Sequence, residues 1–129
     1  MTQVVLDASA LLALLLGEPG AEKVTVALDG ALLCAVNLAE VVSHYAKLGA
    51  SRPDIGAMLQ PLPVTVVPVD AALSYDAGML RPVTLPGGLS LGDRYCLALA
   101  RREGVPALTA ERRWPDIAAA AGVTVSLIR

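Results

Sequence analysis

Phenylalanine is absent from this sequence, and Trp and Tyr together bring aromatic residues to only 3%. That excludes an aromatic stacking platform for nucleic-acid bases, so any contact with a polynucleotide must run mainly through phosphates. It also makes the core aliphatic, drawn from the Leu, Val and Ala that dominate a hydrophobic fraction of 55%. Charge is scarce as well. Charged residues are 17% of the chain and the formal net charge is −2, which lacks the global basic signature of a DNA-binding module. Such an apolar chain is expected to leave apolar surface for a second copy of itself or another protein to cover. Cysteine is limited to Cys34 and Cys96, each inside an apolar run. No C-x-x-C or zinc spacing occurs, so both read as small buried hydrophobes in a reducing compartment. The longest apolar stretch, Ala8 to Leu16, is far short of the roughly 18 residues that span a membrane. The chain opens on a strand pattern rather than a signal-peptide pattern, so the expectation is a soluble, cytoplasmic protein with no membrane partner.

What is present is an alternation of short apolar runs and helical patterns, at a length that suits one domain over residues 1–129. Strands are expected at 3–6, 31–36, 64–69, 106–109 and 123–128. Helices are expected at 8–16, 21–28, from Asn37 to Gly49, at 53–59, 71–80, from Ser90 to Glu103 and at 115–121, with a loop over 82–88. Leu38, Val41, Val42, Tyr45 and Ala46 follow the i, i+3, i+4, i+7, i+8 spacing of an amphipathic helix. Strands alternating with helices imply an α/β fold with a parallel sheet covered on both faces.

Four acids fall where strand turns to helix: Asp7, Glu40, Asp93 and Glu111. In an open parallel sheet, ligands bind beyond the carboxyl ends of the strands, and these residues lie at such ends. Carboxylates brought together repel one another, and Mg2+ or Mn2+ relieves that repulsion while keeping several waters. An ion so held can activate a water and stabilise charge on phosphate oxygens.

Local capping explains part of the same pattern. Asn37-x-x-Glu40 and Ser90-x-x-Asp93 both have the form of a capping box, Asp7 could be a plain N-cap, and Glu111 could be a surface charge. The metal reading rests on the four acids sharing one edge. Arg94, Arg112 and Arg113 lie next to these acids and are candidates to contact a polyanion. The sole histidine, His44, reads as a surface residue paired with Glu40 at i, i+4, and Trp114 as a cover over the end of the following helix.

The ordered set Asp7-Ala8-Ser9-Ala10, Asn37-Leu38-Ala39-Glu40, Ser90-Leu91-Gly92-Asp93-Arg94 and Thr109-Ala110-Glu111-Arg112-Arg113-Trp114 resembles the PIN-domain nucleases. The likeness is greatest to the VapC-type toxins of bacterial toxin–antitoxin pairs, and it runs through the whole chain. It implies a three-layer α/β/α sandwich with a five-stranded parallel sheet, and Mg2+ or Mn2+ at the acidic edge. It further implies endoribonuclease activity, a cognate antitoxin and a homodimer. Asp7, Glu40, Asp93 and Glu111 would be the catalytic and metal residues, with Ser9, Asn37 and Thr109 supporting them. The family's fourth acid is typically Asp in a T-A-D pattern, so Glu111 is a departure and Asp116 is the fallback.

Two other readings remain open. One is a non-catalytic PIN-like module for RNA or protein binding or for dimerisation. The other is a phospho-enzyme of another α/β type, which lacks a second Asp at position 9 and a lysine at a late strand end.

Overall fold

A computed structural model describes residues 3–129. Its strands are β1 (Val5–Leu6), β2 (Ala31–Cys34), β3 (Val64–Val67), β4 (Ala107–Thr109) and β5 (Val125–Leu127). The helices are α1 (Ala8–Leu16), α2 (Ala21–Ala27), α3 (Ala35–Lys47), α4 (Arg52–Leu59), α5 (Ala71–Met79), α6 (Arg81–Thr84), α7 (Leu91–Glu103) and α8 (Pro115–Ala121). The five strands form one parallel sheet in the order β3-β2-β1-β4-β5. The chain builds outward from β1 to β3 and then returns to the other side of β1 for β4. The switch point therefore lies between β1 and β4, the place beyond the strand ends where open parallel sheets bind ligands.

Side chains alternate between two cores, as the period of a strand requires. Val5, Leu32, Cys34 and Ala107 pack with Leu73 and Ala77 of α5, Leu97 and Leu99 of α7 and Ile117 of α8. Leu6, Ala31, Leu33 and Leu108 pack with Leu11 of α1, Val24 of α2 and Val41 of α3. Strands apolar on both faces are what a sheet buried between two helical layers needs, and the result is the expected α/β/α sandwich. Both cysteines are free and buried in the first core, and burial raises the pKa of each thiol. Trp114 is fully buried at the start of α8, as a cover over that helix end.

Three elements differ from the sequence expectation. The second strand ends at Cys34, which becomes the N-cap of α3, so Asn37 lies inside the helix and does not cap it. The segment 82–88 is not a plain loop. Pro82 sits in the first turn of α6, where its missing N–H costs nothing, and a 3-10 turn follows at Leu85–Gly87. His44 is not ion-paired with Glu40; its ring meets Tyr45 edge-on at a centroid distance of 5.1 Å. The other helix signals hold. Gly17 ends α1 at φ 66, and Ser90 starts α7 with a full capping box.

Surplus apolar surface is present. A groove of about 790 Å³ opens between α3, α4 and the edge strand β3, lined by Leu11, Leu38, Val42, Ile55, Leu59 and Val64 among others. Tyr75 and Met79, one turn apart on α5, are 76% and 73% exposed. Among the described residues, no helix is long and apolar enough to cross a membrane.

Candidate active site at the sheet edge

Asp7 follows β1 and is the N-cap of α1 by position, but its side chain makes no capping bond. Its Oδ2 instead accepts hydrogen bonds from Ser9 Oγ at 2.6 Å and Thr109 Oγ1 at 3.0 Å. Both hydroxyls are also acceptors, since Ala110 N donates to Ser9 Oγ and Glu111 N donates to Thr109 Oγ1, each at 3.0 Å. Each hydroxyl can give its proton to Asp7, the two oxygens also stand 3.2 Å from each other, and the turn after β4 is thereby tied to the turn after β1. Asp7 is only 2% exposed. Burial pushes its pKa up to about 6, against the two hydroxyl bonds that lower it, and the charges of Asp93 and Glu40 push it further up.

Glu40 comes from the second turn of α3. Asn37 Nδ2 donates to its Oε1 at 2.8 Å and to the carbonyl of Gly92 in α7 at 3.0 Å. Both of those partners are pure acceptors, which fixes which end of the Asn37 amide carries the nitrogen. The pKa of Glu40 is raised, first by burial and then by the charge of Asp93, with the Asn37 bond working the other way. Asp93 stands in the first turn of α7. Its Oδ2 accepts from Ser90 N at 2.8 Å, while Asp93 N donates to Ser90 Oγ at 3.3 Å. The capping bond therefore occupies one carboxylate oxygen and leaves the other without a hydrogen-bond partner among the described residues, so capping and membership of the acidic group coexist.

The mutual charge effects tie Asp7, Glu40 and Asp93 into one electrostatic group. Glu111 stands outside it. Its Oε2 lies 3.9 Å from Nη2 of Arg113, a charge contact at the rim. Asp116 is exposed in the first turn of α8. Arg112 and Arg113 are exposed, whereas Arg94 is buried, with a buried Nε that has no hydrogen-bond partner among the described residues.

The donor set is all oxygen, which suits a hard divalent cation. Asn37 adds a buried Oδ1 beside Glu40 that has no hydrogen-bond partner among the described residues. Among the described residues, however, no three acidic, His or Cys side chains stand close enough to ligate one ion directly. The arrangement therefore fits an ion held partly through its own waters, as Mg2+ is commonly held.

The family model described as PIN domain matches residues 4–120. This chain belongs to the PIN domain family. Solved structures share its fold along nearly their whole length. A toxin–antitoxin complex from Klebsiella pneumoniae superposes with a TM-score of 0.73 at 16% identity, covering 98% of each chain. DNA-bound VapBC from Salmonella typhimurium gives 0.71 at 14% identity, covering 100% of each. The sarcin–ricin-loop-cleaving toxin VapC20 of Mycobacterium tuberculosis gives 0.69 at 20% identity, covering 91% of this chain and 94% of its own. No curated protein matches this PIN-domain sequence.

Sequence reasoning missed one contributor to the site in this PIN domain. Gly92, taken only as part of a motif, lies directly under the Glu40 carboxylate. No periodicity signals such a contact, because it joins two helices 52 residues apart.

Proposed function

We propose that this single PIN domain, residues 1–129, is a metal-dependent endoribonuclease of the VapC toxin type. The observation that carries the reading is the group of Asp7, Glu40 and Asp93 at the switch point of the sheet, with each carboxylate held by its own hydrogen-bond partner. These three would hold Mg2+ or Mn2+, directly or through water. The bound ion would supply a nucleophilic water and stabilise charge on the scissile phosphate. Ser9 and Thr109 aim their protons at one oxygen of Asp7, which favours its ionised form against burial. Asn37 orients Glu40. Arg112 and Arg113, exposed beside the site, would contact RNA phosphates, which suits a chain without an aromatic platform. Glu111 would take part at most through water, since its near partner is Arg113.

Solved relatives of this fold include toxin–antitoxin complexes, and we assign this chain a cognate antitoxin as well. An amphipathic helix of the antitoxin would lay its apolar face into the groove between α3 and α4. Tyr75 and Met79 would be covered by a second copy in a cytoplasmic homodimer.

The test is cleavage of structured RNA with Mg2+ or Mn2+. Wild type should cleave, and Asp7→Asn and Asp93→Asn should lose at least about a hundredfold, within the range that catalytic groups contribute. Cleavage that survives both substitutions, or a chelator, would sink the reading.

The alternative is a non-catalytic PIN-like binding module. It is favoured by the turn of Glu111 toward Arg113 and by the spacing of the acids, which is too wide for three direct ligands. Such a module would bind RNA or a partner with equal affinity in the presence and absence of divalent metal.

A further inference from the structure

We propose that Gly92 is a positioning residue: it leaves the space in which the Glu40 carboxylate stands, and Asn37 clamps that carboxylate over it. This rests on the metal-site reading given above. Gly92 is the second residue of α7, and its backbone is ordinary right-handed helix, so conformational freedom is not what requires glycine there. What requires it is space. A Cβ on residue 92 would fall 2.5 Å from Glu40 Oε2 and 2.6 Å from both Cδ and Oε1. All three carboxyl atoms therefore lie against the bare Cα.

The clamp comes from the other side. Asn37 Nδ2 holds Glu40 Oε1 at 2.8 Å and the Gly92 carbonyl at 3.0 Å, so a single amide ties the carboxylate to the helix beneath it. Asn37 is fully buried, which limits the alternatives open to its side chain. The carboxylate also rests over the first turn of α7, the positive end of the helix dipole. Glu40 thereby crosses from α3 to the turn that carries Asp93, and Asp93 is the charge it feels.

The identities at 37, 40 and 92 are therefore linked. A glycine in a helix is normally a cost of about 1 kcal/mol relative to alanine. Here the atoms a methyl would strike are the free end of a flexible side chain, which can rotate away cheaply. Gly92→Ala should thus leave the fold intact while displacing the carboxylate.

Four measurements test this. Gly92→Ala should melt, without metal, no lower than wild type, yet bind Mn2+ about 10- to 100-fold more weakly by metal-dependent thermal shift, the range seen when support for a ligand is lost. In a Glu40→Ala background, adding Gly92→Ala should change Mn2+ affinity no further, because the effect passes through Glu40. Asn37→Ser, which removes the clamp without touching residue 92, should weaken Mn2+ binding in the same direction. A crystal structure of metal-free Gly92→Ala should show Glu40 turned away and its bond to Asn37 broken. Wild-type Mn2+ affinity in Gly92→Ala, an equal loss in the Glu40→Ala background, or an unmoved Glu40 in that crystal structure would each overturn the proposal. Absence of any Mn2+ response in wild type would instead overturn the metal-site reading, and the metal-free crystal structure would still decide the placement of Glu40.

Discussion

Thr109 Oγ1 donates to Asp7 Oδ2 at 3.0 Å, a bond between residues 102 positions apart in the chain. The same hydroxyl accepts from Glu111 N and stands 3.2 Å from Ser9 Oγ, and the Asp7 carboxylate is the charged acceptor within reach of its one proton. Thr109→Val keeps the shape and removes that donor. At pH 7.5, where Asp7 is ionised, the expected loss is about 2 kcal/mol, typical of a hydrogen bond to a charged group. At pH 4.5, with Asp7 protonated, the loss should be clearly smaller. Urea unfolding at the two pH values measures the difference, and an equal loss at both would mean the hydroxyl does not serve the charge.

Asp7 itself makes stability depend on pH. Its folded pKa of about 6 lies above the ordinary 3.8, so the folded state binds a proton more tightly than the unfolded chain between those values. Stability from this group is therefore fully present below about pH 4, falls as pH rises from 4 to 6, and stays at the lower level above. The size is on the order of 3 kcal/mol, from roughly two units at 1.36 kcal/mol each. Metal-free Asp7→Asn should accordingly be more stable than wild type at pH 7.5, with the gain shrinking toward pH 4. A gain that does not shrink would place its origin elsewhere.

Metal binding should separate the acids. Saturating Mn2+ should raise the melting temperature of wild type by mass action and fail to do so in Asp7→Asn and Asp93→Asn. Glu111→Gln should retain most of the shift, because Glu111 sits beside Arg113 and outside the charge group. A loss in Glu111→Gln as complete as that in Asp7→Asn would make it a full member of the site. Affinity should also weaken below about pH 6, where protons compete for Asp7.

Trp114 is the largest side chain of the core at the start of α8. It is fully buried in the core shared by α7 and α8. Trp114→Ala should cost about 3–5 kcal/mol, as other deletions of a large core side chain do, read as a lower urea midpoint. The other buried residues of that core are aliphatic or cysteine, and Tyr95 packs against it only partly buried, with its hydroxyl bonded to Ser74.

Much of this was legible beforehand, for physical reasons. Runs such as A-L-L-C and V-T-V-V announce strands, and Ser90 with Asp93 spells a capping box that forms as written. Asp7, Glu40 and Asp93 could be placed at strand ends because a parallel sheet leaves few other places for them. What stayed hidden depended on contacts between distant elements. Asn37 looked like a cap, yet Cys34 takes that position and frees Asn37 to bridge two helices. The prolines at 82 and 86 read as loop, although both fall in opening turns that tolerate them. The partner of Glu111 is a side chain two residues on, and no spacing rule distinguishes that from a turn toward the acids.

The central strand β1 pairs only Val5 and Leu6, one of them facing each core. Its neighbours are β2, from residue 31, and β4, from residue 107. Asp7 thus stands at the end of a strand whose second flank is made almost last. A nascent chain that has emerged only as far as β3 contains Asp7 and Glu40, but neither Asp93 nor the Thr109 hydroxyl. The acidic group and the hydroxyl that holds Asp7 can therefore come together only at the close of synthesis, once β4 has been made.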